Sequence, residues 1–71
     1  MTKVFNPTAL TDARARARIS QIELGKKADI SGHQVSRIES GRVMPRRTTI
    51  VQLADALEVD PDELYIETTE N

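Results

Sequence analysis

The sequence predicts an all-α fold, a single compact domain of five short helices, and three observations support this prediction. Apolar residues recur at spacings of three and four, which is the period of a helix with one buried face. Residues typical of helix caps, together with Pro and Gly, divide the chain into segments of helix length. The alternating β-branched runs that predict strands are almost absent. A chain of 71 residues has room for one such domain and one modest core.

The first two helices have clear starting signals. Asn6 and Pro7 open the first helix, because proline suits an early helical position. Ser20 and Glu23 form a capping-box pattern, in which each side chain pairs with the backbone N–H of the other residue, so the second helix begins there. Gly25 costs this helix about 1 kcal/mol of propensity relative to Ala. We therefore expect that it allows the next helix to approach closely.

The third helix follows the second after a short turn. Ser31 and Gln34 form a second capping box, so this helix begins at Gly32. Gly41 ends it, because glycine is typical of the position just past a helix end. Two helices joined this tightly cross steeply, and the second can protrude from the surface. Residues 21–40 are therefore predicted to form a helix-turn-helix unit.

Two further helices and a tail complete the predicted domain. Apolar residues at helical spacing predict the fourth helix up to about Leu57. A third capping pattern, which starts at Asp60 and includes a proline, predicts a short fifth helix that carries Leu64. Residues 67–71 form an acidic tail that we expect to fray, which leaves residues 1–66 as the domain.

Composition and charge narrow the class of protein. The absence of cysteine favours a reducing compartment and excludes a thiolate metal site, and no apolar run approaches the roughly 20 residues of a membrane span. We therefore expect a cytoplasmic protein with no membrane, metal or cofactor partner. All ten Lys and Arg residues and five of the eleven acidic residues lie in residues 1–57, a balance of +5. The acidic end is either a solubilising tail or one pole of a molecule whose basic body approaches a polyanion.

Residues characteristic of one family recur without a gap from residue 10 to residue 64. They are Leu10, Arg14, Gln21, Leu24, Gly25, Ala28, Ile30, Ser31, Gly41, Pro45, Val59 and the runs 35–39, 53–57 and 62–64. This ordered set resembles the lambda-repressor/Cro-like helix-turn-helix family, also called the xenobiotic-response-element type. The resemblance implies a lambda-repressor-like DNA-binding domain.

The resemblance also implies that the helix over residues 32–40 lies in the major groove of double-stranded DNA. Arg37 matches a base-reading position and can chelate guanine O6 and N7. His33 matches another and can make one hydrogen bond, while Gln34 could grip adenine or a phosphate. Gly32 matches a third position but has no side chain to read with. The full set of expected DNA-contacting residues is Gln21, Ser31, Gly32, His33, Gln34, Ser36, Arg37, Arg42, Arg46 and Arg47.

The remaining members of that set have simpler expected roles. Gln21 lies at the start of the second helix, where free N–H groups favour a phosphate. Arg42, Arg46 and Arg47 flank the third helix and suit neutralisation of the DNA backbone. Arg46 stands where a Ser-like or Asp-like cap is usual, at a cost of about 1 kcal/mol. Ser36 either caps and packs or contacts DNA, and the sequence leaves both readings open.

The resemblance assigns structural roles to five other residues. Arg14 and Glu39 occupy the positions of an ion pair that ties the first helix to the third. Arg18, Asp29 and Glu58 replace the glycine that is common after a helix or in a turn. Such sites often need a positive φ angle, which Asp tolerates better than Arg or Glu, so the sequence leaves the geometry of these loops open.

The most favoured function is a sequence-specific transcription regulator that binds a palindromic operator as a homodimer, because one short helix reads only a few base pairs. Leu64, Tyr65 and Ile66 either form the dimer interface or merely close the core. The alternative is an antitoxin or adaptor whose main partner is another protein, with the same fold. We expect no enzyme and no catalytic residue, since the chain has one histidine, no cysteine and no phosphate-binding glycine loop.

Overall fold

The computed structural model describes residues 2–68, which form four α-helices and a two-stranded sheet. The elements in chain order are β1 (Thr2–Phe5), α1 (Pro7–Ala17), α2 (Gln21–Ala28), α3 (Gly32–Glu39), α4 (Arg47–Leu57) and β2 (Tyr65–Thr68). None of the helices in this part of the chain is long and apolar enough to span a membrane.

The capping signals predicted the helix starts correctly. The Asn6 side chain accepts a hydrogen bond from the Thr8 N–H at 3.2 Å, and Pro7 is the first helical residue. The Ser20 hydroxyl accepts from the Glu23 N–H at 3.0 Å, and the Glu23 carboxylate accepts from the Ser20 N–H at 2.8 Å. This reciprocal pairing satisfies two donors that the helix itself cannot satisfy.

Three helices end in a left-handed residue that is not glycine. Arg18, Asp29 and Glu58 have φ angles of 59°, 64° and 59°, so the geometry that the sequence left open is the left-handed one that glycine usually adopts at such sites. Each residue donates its backbone N–H to a carbonyl of the preceding helical turn and so closes the helix end. The backbone therefore adopts a glycine-like conformation with side chains that disfavour it.

The predicted fifth helix is wrong. Pro61–Leu64 forms a single 3₁₀ turn, which begins where the Asp60 carboxylate accepts from the Asp62 N–H at 2.9 Å. The turn ends after Leu64 because Tyr65 then pairs with the first strand instead of continuing the helix. The fold is thus mostly helical, with four helices in place of five.

A two-stranded antiparallel sheet pairs the first and the last segments of the described residues, although the sequence suggested almost no strands. Its register pairs Val4 with Ile66 and Phe5 with Tyr65, and the outer pairs are Lys3 with Glu67 and Thr2 with Thr68. Residues 67 and 68, where the frayed tail was expected to begin, are therefore paired in β2. Residues 69–71 lie outside the described part of the chain.

The core lies between the four helices, the 3₁₀ turn and the inner face of the sheet. Its aliphatic character follows from a composition in which only 3% of residues are aromatic. Leu64 is fully buried, so it closes the core within one copy of the chain. The buried apolar residues are Phe5, Leu10, Ala13, Leu24, Ala28, Val35, Ile38, Ile50, Leu53, Ala54, Leu57 and Leu64.

Candidate nucleic-acid interface

The crossing of α2 and α3 depends on Gly25. A β-carbon at this position would lie 2.6 Å from the Ile30 carbonyl oxygen and 2.9 Å from the Gly32 backbone nitrogen. Both neighbours are backbone atoms and cannot move aside as a flexible side chain would. The expectation that Gly25 permits a close approach is therefore confirmed, and it explains a glycine inside a helix.

Helix α3 is anchored at its far end by the expected ion pair. Arg14 donates from Nε to one Glu39 oxygen at 2.6 Å and from Nη2 to the other at 3.0 Å. Its Nη1 donates to the Ile19 carbonyl at 3.0 Å. Only 6% of the Glu39 side chain is exposed, against 19% for Arg14. A bidentate pair in this setting fixes the orientation of α3 on α1, because both partners have defined geometry.

The carboxylate of Glu39 is held in its charged form. Burial by itself would raise the pKa of Glu39, but hydrogen bonds from Arg14 and Gln21 outweigh it and leave the pKa below its ordinary value. The ion pair consequently persists at neutral pH, where α3 must keep its position.

Gln21 lies at the first position of α2, as expected, and its amide is already engaged. The Gln21 Nε2 donates to Glu39 Oε1 at 3.0 Å. One amide hydrogen is thus used inside the molecule, and the second remains for an outside acceptor. The same carboxylate that anchors α3 therefore orients Gln21 at the start of α2, a link that the sequence pattern did not reveal.

The outward face of α3 carries the predicted reading residues. His33 and Arg37 are exposed and lie one helical turn apart, so they project from the same side, while Val35 and Ile38 are buried on the other. Ser36 is half-buried between the two faces. The helix therefore presents one cationic fork and one imidazole together on an exposed surface.

The second capping box limits what Gln34 can do. The Ser31 hydroxyl accepts from the Gln34 N–H at 3.0 Å, and Gln34 Oε1 accepts from the Ser31 N–H at 3.2 Å. A bidentate grip on adenine uses the amide oxygen as an acceptor, and this capping box already engages one of the two lone pairs of that oxygen. The exposed Gln34 side chain thus offers its NH₂ donor, and Ser31 serves as the helix cap.

The basic segment after α3, residues 42–47, carries three arginines that lie in different surroundings. Arg46 is exposed at the N-cap of α4, and within residues 2–68 no side chain caps that helix end. Arg46 also lines a shallow cleft of about 390 Å³ that it shares with Gln34, Arg37 and the exposed Met44. The structure thus brings Arg46 beside the outward face of α3.

The other two arginines of the set lie at the edges of this group. Arg42 is exposed in the turn that directly follows α3. The Arg47 guanidinium stands over the ring of Tyr65, 5.2 Å from its centroid, in a cation–π contact with β2. Arg47 is therefore oriented toward the sheet and is the least directly placed of the predicted contacts.

A model of the helix-turn-helix domain matches residues 8–64, most of the chain. The chain belongs to the helix-turn-helix domain family. The resemblance to lambda-repressor/Cro-like proteins is confirmed. That prediction rested on the spacing of family residues from position 10 to position 64.

Two solved structures share the fold at 28% sequence identity. The restriction-modification controller protein C.AhdI from Aeromonas hydrophila has a TM-score of 0.80, with 82% of this chain and 84% of that chain covered. The P22 c2 repressor, solved in complex with a synthetic operator, has a TM-score of 0.76, with 82% and 88% covered. A search of curated proteins finds no match to this chain.

Within this helix-turn-helix domain, the structure gives Gly32 a role that the sequence did not reveal. A β-carbon on Gly32 would lie 2.9 Å from Cγ1 and 3.0 Å from Cα of Ile22. Gly32 is therefore part of the contact between α2 and α3. Ile22 itself is 63% exposed. In the sequence it falls outside the buried face of α2 that Leu24 and Ala28 define, and this spacing could have marked it as an exposed apolar residue beside the third helix.

Proposed function

We propose that this chain is a DNA-binding transcription regulator whose α3 reads the major groove of a palindromic operator as part of a homodimer. The observation that carries the proposal is a short helix held rigidly at both ends with its hydrogen-bonding face exposed. The capping box and the glycine crossing hold its start, and the ion pair of Arg14 with Glu39 holds its end. Groove reading needs a firmly placed helix whose hydrogen-bonding side chains are exposed.

Base reading is assigned to the exposed face of α3. Arg37 has the flexible fork that pairs with guanine O6 and N7, the commonest specific contact in the major groove. His33, one turn earlier, adds one hydrogen bond to a neighbouring base edge or phosphate. Gln34 donates from its NH₂ group to a base edge or a phosphate, and the second lone pair of its amide oxygen leaves the bidentate adenine contact available. Ser36 lies close enough to the same face to add a hydroxyl contact.

Phosphate contacts are assigned to the groups around that face. Arg46 lies at the uncapped start of α4, where backbone N–H groups add to its own charge. Arg42 lies in the turn after α3, and Gln21 at the start of α2 has one amide hydrogen that its bond to Glu39 does not use. Arg47 joins this set only by leaving the Tyr65 ring, so it should contribute least.

The homodimer is proposed because a single α3 spans too few base pairs for selectivity, whereas two copies about 34 Å apart read two half-sites. The outer face of the sheet suits a second copy. It carries only uncharged β-branched residues, and Val4 and Ile66 on it are 39% and 49% exposed. This face is small compared with a standard interface of about 800 Å² per partner, so we expect a weak dimer that DNA stabilises.

The two similar structures support the assignment as a DNA-binding regulator, because one is a restriction-modification controller and the other was solved with an operator. A regulator of duplex DNA would act in the cytoplasm. The alternative, an antitoxin or adaptor with a protein as its main partner, has no observation in its favour beyond the shared fold.

Binding-site selection from random duplex DNA tests the proposal. We expect a palindromic consensus with half-sites about one helical turn apart. Sedimentation of the protein at micromolar concentration should then give a dimer on the selected duplex. A selection that enriches no sequence would contradict the regulator assignment, and a monomer both alone and on the selected DNA would contradict the dimer.

A further inference from the structure

Ile22 is a large apolar residue on the exposed surface of α2. It lies on the first turn of α2 with 63% of its surface exposed, between two residues that hydrogen bonds hold in place. Gln21 on one side donates to Glu39, and Glu23 on the other completes the capping box with Ser20. Burial in the core therefore does not explain Ile22.

The position of Ile22 is set by its contact with the start of α3. A β-carbon on Gly32 would lie 2.9 Å from Cγ1 and 3.0 Å from Cα of Ile22, so Ile22 occupies the direction in which a side chain at position 32 would project. The first turn of a recognition helix is where side chains reach base edges. Gly32 supplies no side chain there, and the exposed Ile22 is the apolar side chain that lies against this first turn.

The geometry points to Ile22 as a specificity-determining residue that contacts the 5-methyl group of a thymine in each half-site. This inference rests on the proposed function, because it requires α3 to lie in the major groove. The thymine methyl is the apolar group that the major-groove edge of DNA offers. An isoleucine matches it chemically, and its branched β-carbon restricts the side chain to few rotamers in a helix. The contact therefore needs little ordering when DNA binds.

Replacement of single thymines by deoxyuridine in the selected operator tests this directly, since only the methyl group is lost. For the wild-type chain, deoxyuridine at one thymine of each half-site should weaken binding about fourfold per site, the effect of exposing one methyl-sized group. For Ile22→Ala, the same replacement should leave the affinity unchanged. Thermal melts of Ile22→Ala should lie at most slightly below the wild type, because most of the side chain is exposed.

Ile66→Ala is the matched control, because it removes another exposed isoleucine that lies on the sheet. It should keep the full wild-type preference for thymine over deoxyuridine, whatever it does to overall affinity. Equal losses for Ile22→Ala on thymine and deoxyuridine duplexes would overturn the inference and indicate a sugar contact. Wild-type binding that is insensitive to every deoxyuridine would also overturn it. Failure of the proposed function is distinct, since then no operator would be selected.

Discussion

Within residues 2–68, three residues adopt a backbone conformation that their side chains disfavour. Arg18, Asp29 and Glu58 end α1, α2 and α4 with φ angles near +60°. The β-carbon makes this region costly for ordinary residues, and Asp tolerates it better than Arg or Glu. The helices nevertheless end here, since each left-handed residue closes the last turn by a backbone hydrogen bond.

Arg18→Gly and Glu58→Gly should therefore each stabilise the fold. We expect the free energy of unfolding to rise by about 1 kcal/mol for each, because glycine adopts this conformation without steric cost. Urea unfolding measures it. Arg16→Gly, an exposed substitution inside α1, is the control and should lower stability by about 0.5–1 kcal/mol. Loss of stability in both cap variants would refute the strain assigned to these positions.

The ion pair of Arg14 with Glu39 is the costliest contact to break at the residue scale. Either Arg14→Ala or Glu39→Ala leaves a mostly buried charge without its partner, so we expect a loss of about 3–5 kcal/mol. Thermal melts should show this loss, and DNA binding should fall with the folded fraction. The double variant Arg14→Met, Glu39→Leu should recover much of the stability, because it leaves no unpaired charge. Unchanged melting of the single variants would show that the pair is not structural.

The lowered pKa of Glu39 makes stability depend on pH in a defined direction. Burial opposes the shift, and hydrogen bonds from Arg14 and Gln21 produce it, so the pKa of Glu39 in the folded chain lies below its ordinary value in the unfolded chain. The stabilisation is complete above the unfolded pKa and is lost as pH falls through the folded pKa. Unfolding free energies from pH 7 to pH 3 should therefore fall more steeply for the wild type than for Glu39→Gln. Parallel curves would contradict this assignment.

At the scale of elements, local sequence patterns predicted the four helices, but they did not predict the pairing of β1 with β2. The capping boxes at Ser20 and Ser31 specify α2 and α3 because their hydrogen bonds join residues three apart. The sheet pairs Val4 with Ile66, which no local pattern reports, and its strands are too short for a clear alternation. The capping signal at Asp60 was read correctly, but pairing of the following strand stopped that helix after one turn.

The site was predictable to a similar degree. Helical spacing located His33 and Arg37 on the exposed face of α3, and the family resemblance identified the ion pair that holds the helix. The engagement of Gln21 with Glu39 and the contact of Ile22 with Gly32 were not predictable, because both depend on how two helices cross. A sequence pattern specifies the face of a helix, whereas tertiary packing decides which neighbour meets it.

Gly25→Ala tests the crossing of α2 and α3. The added β-carbon would collide with the Ile30 carbonyl oxygen, so α3 must shift, at a cost of about 1–3 kcal/mol that exceeds the gain in helix propensity. We expect a lower melting temperature and weaker operator binding. Lys26→Ala, an exposed neighbour on the same helix, should change neither appreciably. A Gly25→Ala variant that melts and binds like the wild type would exclude the close approach.

The whole molecule separates its charges along the chain. Residues 1–57 have a balance of +5, whereas residues 58–71 hold six acidic residues and no basic one. The acidic 3₁₀ turn packs against α1 and α4, and the arginines at positions 42 and 46 flank α3. This arrangement accords with a basic surface at α3 for DNA in a molecule whose net charge is −1.

The central claim is that α3 reads bases while the loop after it grips the backbone. The most direct test is the affinity of wild type, Arg37→Ala and Arg46→Ala for the selected operator and for random duplex, across a salt series. Arg37→Ala should lose about 1–3 kcal/mol on the operator and much less on random DNA. Arg46→Ala should weaken both duplexes similarly and lower the salt-dependence slope by about one unit per half-site. Equal loss on both duplexes for Arg37→Ala would contradict base reading by α3.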